Sequence, residues 1–394
     1  MSSMTFLTGK KILITGGTGH LGSALAHALV RRLELSPSDI RIFYLAGTPA
    51  ESLRDLPGLD LFPGEILRPE DVHRACLGAD YVFHLAGSTT FDPRLKRRQW
   101  DINVEGTHHV LEACRHSSSI KKMCYTSTVN VLGVPNPAGS IGNFENSDPY
   151  SSRPRLHAFR SPEETLAFIE HVRKKHASRW EKKIKIGYFD SKLAAQELVR
   201  HYVREFDLDV VSVCPGTSFG PYDYLIGNGI YLLLVYRGQI PGALRGGLSA
   251  AHVMDVAEGH LLAMEKGQRG GRYIITGRPE DNLSFKDLFR IMADVLRRQF
   301  PDKKIRTPRL VVPSWLAELG AIVSERSAKL SGRPALLNRA AVRAGSVPLY
   351  YTYETARRDL GYFPKRTVPQ GIEDMVEYYR AENLFEERGR RVDR

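Results

Sequence analysis

The chain has 394 residues, 42% hydrophobic and 25% charged, a balance that excludes a disordered or fibrous chain and fits a globular enzyme. Its net charge of +12 suits an acidic ligand, nucleic acid or a membrane surface. Half of that excess sits between Arg173 and Lys185, where seven Lys or Arg meet one acid, Glu181. Nucleic acid is therefore not expected as a partner.

In chain order, Lys11 to Thr15 reads as a buried strand and Leu21 to Leu33 as a helix. Ile40 to Leu45 and Tyr81 to Ala86 read as strands, with a short helix from Pro69 to Leu77 between them. A helix over Val104 to His116, a strand over Lys122 to Ser127, a helix over Tyr188 to Glu205 and a strand over Val210 to Cys214 follow. Short apolar strands alternating with helices predict an α/β fold, a doubly wound parallel sheet of Rossmann type. Past residue 215 the alternation is lost. Helices near 284–299 and 314–330 predict a smaller, mostly helical substrate domain, with Arg272 to Thr276 returning to the main sheet. The expected division is 1–217 for the dinucleotide domain and 218–394 for the substrate domain. Segments 251–277 and about 350–380 return to the first.

Cys76, Cys114, Cys124 and Cys214 are widely spaced, which reads as reduced thiols rather than a disulfide framework or a metal site. The N-terminus carries no secretory pattern. The longest apolar run, Ile230 to Tyr236, is far short of the roughly 20 residues that span a bilayer. The expectation is a cytoplasmic protein without a transmembrane segment.

Gly16, Gly17, Gly19 and Gly22 punctuate GGTGHLG, together with Thr18, His20 and Leu21. They fall after a strand and at the start of a helix, the context in which such glycines admit a dinucleotide pyrophosphate to the backbone. The helix N-terminus then offers free N–H groups to the phosphates. The second strand ends without an acid, with Glu51 late and Arg54 just beyond it. An acid there would bind the NAD ribose and repel a 2′-phosphate, so the reading favours NADP(H) over NAD(H).

Tyr188 and Lys192 stand four apart on one helix face. An ammonium beside a phenol is expected to lower the Tyr pKa, giving a proton donor and acceptor for a carbonyl–alcohol pair. Thr126, Ser127 and Thr128 supply hydroxyls at the end of an earlier strand.

These stretches, with YVFHLAG, DINVEGTHHVLEAC, CPGTSFGP, HVMDVAEGHLLAME and ETARRDLGYFPKRTVPQGIEDMVEYYR, resemble the extended short-chain dehydrogenase/reductases. That group includes the NAD-dependent epimerases/dehydratases, dihydroflavonol reductases and 3β-hydroxysteroid dehydrogenases. The resemblance implies that Tyr188, Lys192 and Thr128 are catalytic, with Ser127 the alternative hydroxyl. It implies that Leu85, Ala86, Gly87, Asn103, Pro215, Gly216 and Thr217 adjoin the cofactor. It also implies a homodimer through helices 104–116 and 188–205, for which Ala194 and Ala195 are small enough.

Thr217 stands where sugar-nucleotide enzymes of this group usually carry Asn. LIGNGIYLLLVYRGQIPG and VPSWLAELGAIVSERS are apolar and read as pocket-facing, although Trp315, Leu319, Ile322 and Val323 also suit a core helix. The expected activity is NAD(P)-dependent interconversion of a ketone or aldehyde and a secondary alcohol on a largely apolar small molecule. A sugar-nucleotide epimerase or dehydratase with bound NAD is the alternative, and a non-catalytic dinucleotide-sensing regulator a second. Thr128 and Tyr188 are 60 residues apart, which marks an insertion over about 150–187. Its predicted helix starts at Ser161, and its basic stretch 173–185 is a candidate contact for an acidic partner or anionic lipid.

Overall fold

A computed structural model describes residues 5–135, 140–143, 187–308, 310–331, 335 and 337–386. The predicted insertion helix and the 173–185 stretch lie outside the described residues.

The strands are β1 (Ile12–Thr15), β2 (Ile40–Leu45), β3 (Asp60–Gly64), β4 (Tyr81–His84), β5 (Lys122–Thr126), β6 (Val210–Pro215), β7 (Thr217–Phe219), β8 (Gly247–His252), β9 (Arg272–Ile275), β10 (Asn282–Ser284) and β11 (Pro348–Leu349). The helices are α1 (His20–His27), α2 (Pro69–Cys76), α3 (Lys96–Trp100), α4 (Gly106–His116), α5 (Gly187–Glu205), α6 (Ile230–Tyr236), α7 (Val253–Lys266), α8 (Phe285–Gln299), α9 (Ser314–Ser331), α10 (Arg339–Gly345), α11 (Glu354–Leu360) and α12 (Val368–Ala381).

The main sheet has seven parallel strands in the order β3-β2-β1-β4-β5-β6-β9. Strand order reverses beside β1, and ligands of such sheets bind outside the carboxyl ends of the strands at that reversal. Ile12, Leu13 and Ile14 are fully buried, because helices cover both faces. Strand β3 escapes the sequence reading. Its DLFPG carries Pro63 and alternates between half-buried and exposed positions, which only a sheet edge tolerates. Strands β7, β8, β10 and β11 form a second, four-stranded sheet, also unforeseen, since runs of two to six residues with glycine give little period to read.

Two expectations are corrected by packing. Ala194 and Ala195 lie in this chain's own core with Val110, Leu111 and Leu198, so their small size serves packing within one chain. Leu232, Leu233 and Val235 of α6 pack against Leu288, Met292 and Tyr379, so this apolar run is core rather than pocket wall. All four cysteines are free and buried. No helix among the described residues is long and apolar enough to cross a membrane.

Candidate functional site

Four strand ends converge on one edge of the sheet. β1 delivers the glycine turn. Gly16 takes a left-handed φ of +71°, and a Cβ there would fall 2.7 Å from the Ala86 backbone. A Cβ on Gly22 would fall 2.7 Å from Gly17 Cα. These two glycines let the turn, the start of α1 and the 85–87 loop approach closely. At Gly19 a Cβ would meet only the Gly16 carbonyl, at 3.3 Å. Gly19 also precedes α1 without a side-chain cap, so the first N–H groups of the helix remain available. An open glycine at an uncapped helix start fits a phosphate. Thr18 and Gly17 are buried in the turn, and His20 and Leu21 are half-buried. Burial lowers the His20 pKa, opposed by Asp223.

β4 carries His84 into a buried relay that the sequence reading missed. Thr15 Oγ1 pairs with His84 Nδ1 at 2.7 Å, and His84 Nε2 with Thr107 Oγ1 at 3.0 Å. The Ala86 amide donates to Thr15 Oγ1 at 3.2 Å. Burial, then the nearby Lys192 charge, pushes the His84 pKa down to about 3, so the ring is neutral and acts as a strut for the 85–87 loop. The legible signal was a Thr and a His closing two otherwise apolar strands. Asn103 fastens the next turn. Its Oδ1 accepts from the Ser88 amide at 2.8 Å, and its Nδ2 donates to Ser88 O and Ser191 Oγ, both at 2.9 Å. Ser191 Oγ donates to the Tyr188 carbonyl at 2.9 Å, which ties Asn103 to the first turn of α5.

α5 lays Tyr188 and Lys192 against the end of β5. The Thr128 hydroxyl lies close enough to the Tyr188 phenol to act on its proton affinity. Thr128 also accepts from the Asn130 amide at 3.3 Å. Lys192 Nζ donates to the Thr126 carbonyl at 2.6 Å and lies 4.7 Å from the Tyr125 ring centre. Gly87 and Asn103 close the same space: a Cβ on Gly87 would be 3.0 Å from Asn103 Oδ1 and 3.9 Å from Lys192 Nζ.

The electrostatics depart from expectation. Burial raises the Tyr188 pKa to about 12, with only the neighbouring Thr128 hydroxyl opposing it. Burial also lowers Lys192 to about 7. Lys192 is not what sets the phenol here, because its ammonium is aimed at a backbone carbonyl and is itself desolvated. At neutral pH the phenol keeps its proton.

Pro215, Gly216 and Thr217 join β6 to β7. The Gly216 amide donates to the Ile275 carbonyl at 3.0 Å, and a Cβ on Gly216 would lie 3.2 Å from Thr276 Cγ2. The hydroxyls of Ser127 and Thr276 are buried without a hydrogen-bond partner. Two orphaned hydroxyls at the carboxyl edge of one sheet fit a polar ligand laid across it. At the other end, Ser52 Oγ pairs with Ser23 Oγ at 2.8 Å. Arg54 pairs in bidentate fashion with Glu382, at 3.0 and 2.5 Å. No group of three or more His, Cys, Asp or Glu among the described residues is arranged to hold a metal.

Phe91 packs edge-on against Tyr188 with ring centres 6.0 Å apart. Val129, Leu132, Phe189, Leu193 and Tyr351 cluster behind it.

Two family models match the chain. The 3-beta hydroxysteroid dehydrogenase/isomerase family matches residues 13–161, and the NAD dependent epimerase/dehydratase family residues 178–276. The chain is 27% identical to a putative dihydroflavonol 4-reductase of Synechocystis sp., over 93% of each chain. It is 23% identical to sterol demethylase protein B of Methylococcus capsulatus, over 95% of this chain and 99% of that one. Among solved structures, the UDP-glucose 4-epimerase of Thermus thermophilus in complex with NAD superposes with a TM-score of 0.63 at 20% identity, over 94% of this chain and 99% of that one.

Proposed function

We propose that this chain, which belongs to the extended short-chain dehydrogenase/reductases, reduces the carbonyl of a largely apolar small molecule to a secondary alcohol. Its family is NAD-binding. The observation that carries the reading is Tyr188, a phenol kept protonated by burial, set beside the Thr128 hydroxyl and packed against Phe91.

A nicotinamide dinucleotide supplies hydride when bound. Gly16, Gly17, Thr18, Gly19, His20, Leu21 and Gly22 would hold its phosphates. Leu85, Ala86, Gly87, Asn103, Ser127, Pro215, Gly216 and Thr217 would hold the remainder. Thr128 hydrogen-bonds the substrate oxygen, and Tyr188 gives it a proton as the alcohol forms. Lys192, held at the end of β5 by Thr126, binds the ribose next to the reacting ring. The phenol recovers its proton from solvent. A phenol with a raised pKa donates readily at neutral pH only to an oxygen that becomes more basic than itself, as an alkoxide does, and this favours the reductive direction.

NADP(H) is the favoured cofactor, because no acid ends β2. Arg54 is committed to Glu382, so a 2′-phosphate would have to compete for it. An apolar substrate suits the cluster around Tyr188 and the names of the similar proteins. Pairing of two copies through α4 and α5 rests on resemblance, and light scattering at micromolar concentration decides it.

The second reading is sugar-nucleotide epimerisation or dehydration, favoured by the family match over 178–276, which contains both Tyr188 and Lys192. A panel of hydrophobic ketones and UDP- or GDP-sugars, followed by cofactor absorbance and sugar product, separates the two. Turnover of a nucleotide sugar with none of any ketone would establish the second reading.

A further inference from the structure

Helix α9 is turned opposite to the expectation for its large residues. It buries Ala317, Ala321 and Ala328 against Val342, Leu244 and Val312. It exposes Trp315, Leu316, Leu319, Val323 and Leu330, with Trp315 at 66%, Val323 at 68% and Leu330 at 91%. At about 100° per residue, these five fall within about 100° of arc, and the three alanines lie on the opposite side. Leu310, four residues before the helix, is also 70% exposed. A core helix would not present its Trp and Leu to water, and an exposed apolar stripe of this kind marks a contact surface.

The surrounding charge selects what it contacts. Residues 302–345 hold nine Lys or Arg and three acids. Two of those acids, Glu318 and Glu325, are spent on Arg343 and Arg339 of the neighbouring α10. Arg326 follows the stripe on the same side of the helix and is exposed. A second copy of this chain would bring two net basic segments together, which like-charge repulsion opposes. An amphipathic helix with Trp and Leu on one face, Arg326 beside them and a net basic chain segment around it matches the interface of an anionic bilayer, where Trp sits at headgroup depth and Lys and Arg meet lipid phosphates.

We propose that α9 docks this protein on anionic membrane surfaces as a peripheral contact, lying in the interface plane without crossing it. This inference does not rest on the substrate class. None of the stripe residues belongs to the cluster around Tyr188.

The test is co-sedimentation of the full-length chain with phosphatidylcholine vesicles, with and without phosphatidylglycerol, together with Trp emission. The expected result is binding to the phosphatidylglycerol vesicles, a blue shift that disappears in Trp315→Phe, and weakening by salt. The double variant Trp315→Glu, Val323→Glu is expected to lose at least about tenfold in partitioning, since charge on a lipid-facing helix opposes insertion. Both positions are exposed, so its circular dichroism and its cofactor binding should match wild type. The inference is overturned if no vesicle binds, if neutral and anionic vesicles bind equally, or if the double variant binds like wild type. It is equally overturned if light scattering shows the double variant separating a dimer that wild type forms through this face.

Discussion

Lys192 Nζ donates to the Thr126 carbonyl oxygen at 2.6 Å, so the lysine of the Tyr–Lys pair is anchored to the last residue of β5, two residues before Thr128. One helix and one strand end thereby hold all three polar groups in register. The anchor also explains why the phenol is not acidified: the ammonium is oriented by a carbonyl dipole and desolvated before it can act on Tyr188.

Tyr188→Phe removes the proposed proton donor and leaves the packing against Phe91. Turnover should fall by about 10²–10⁴-fold, the range for a positioned general acid, with cofactor affinity kept. Steady-state kinetics alongside a fluorescence titration checks both halves, and unchanged turnover would remove Tyr188 from the mechanism.

Thr128 and Ser127 are separable. Thr128 lies beside the phenol and acts on its proton affinity, whereas the Ser127 hydroxyl is buried and orphaned. Thr128→Ala should therefore lower kcat, and Thr128→Ser should restore most of it. Ser127→Ala should act mainly on cofactor affinity. The opposite pattern would exchange the two roles.

The glycines make a sharper comparison. Gly22→Ala drives a methyl to 2.7 Å from Gly17 Cα, and Gly16→Ala to 2.7 Å from the Ala86 backbone at positive φ. Both should lower Tm. Gly19→Ala meets only one carbonyl, at 3.3 Å, so Tm should hold while dinucleotide affinity drops at least about tenfold, or roughly 1.4 kcal/mol. Differential scanning fluorimetry with and without cofactor reads both effects.

Lys192 gives a pH dependence of known sign. Its pKa is lowered from 10.5 to about 7 in the folded chain. Between those values the unfolded chain carries a proton that the native chain lacks, so stability rises as pH increases through the window. Below the folded value the cost of burying the charge is fully present. Lys192→Met should flatten the rise, as measured by urea midpoints along a pH series. A slope unchanged in the variant would assign it to another group.

Cofactor choice is decided by titrating NADPH and NADH. The missing acid at the end of β2 predicts tighter NADPH. Tenfold tighter NADH, about 1.4 kcal/mol, would reverse that. Glu382→Gln releases Arg54 from its bidentate pair and should move the ratio further towards NADPH.

The sequence by itself determined what depends on neighbours along the chain. Buried parallel strands such as Ile12–Thr15 announce themselves as short apolar runs, GGTGHLG as a strand–turn–helix, and Tyr188 with Lys192 as one helix face. Tertiary structure decided what depends on distant partners. The strut from Thr15 through His84 to Thr107 joins three elements; the polar strand ends are visible in the sequence, but nothing local says that they meet. The proton affinity of Tyr188 was set by burial rather than by the lysine four residues on, because desolvation is a property of the whole surroundings. The hydrophobic period of α9 fixed that it is an amphipathic helix, but period alone does not say which face a neighbour will take. The alanine face allowed closer packing against Val342, and the Trp315 face was left outside.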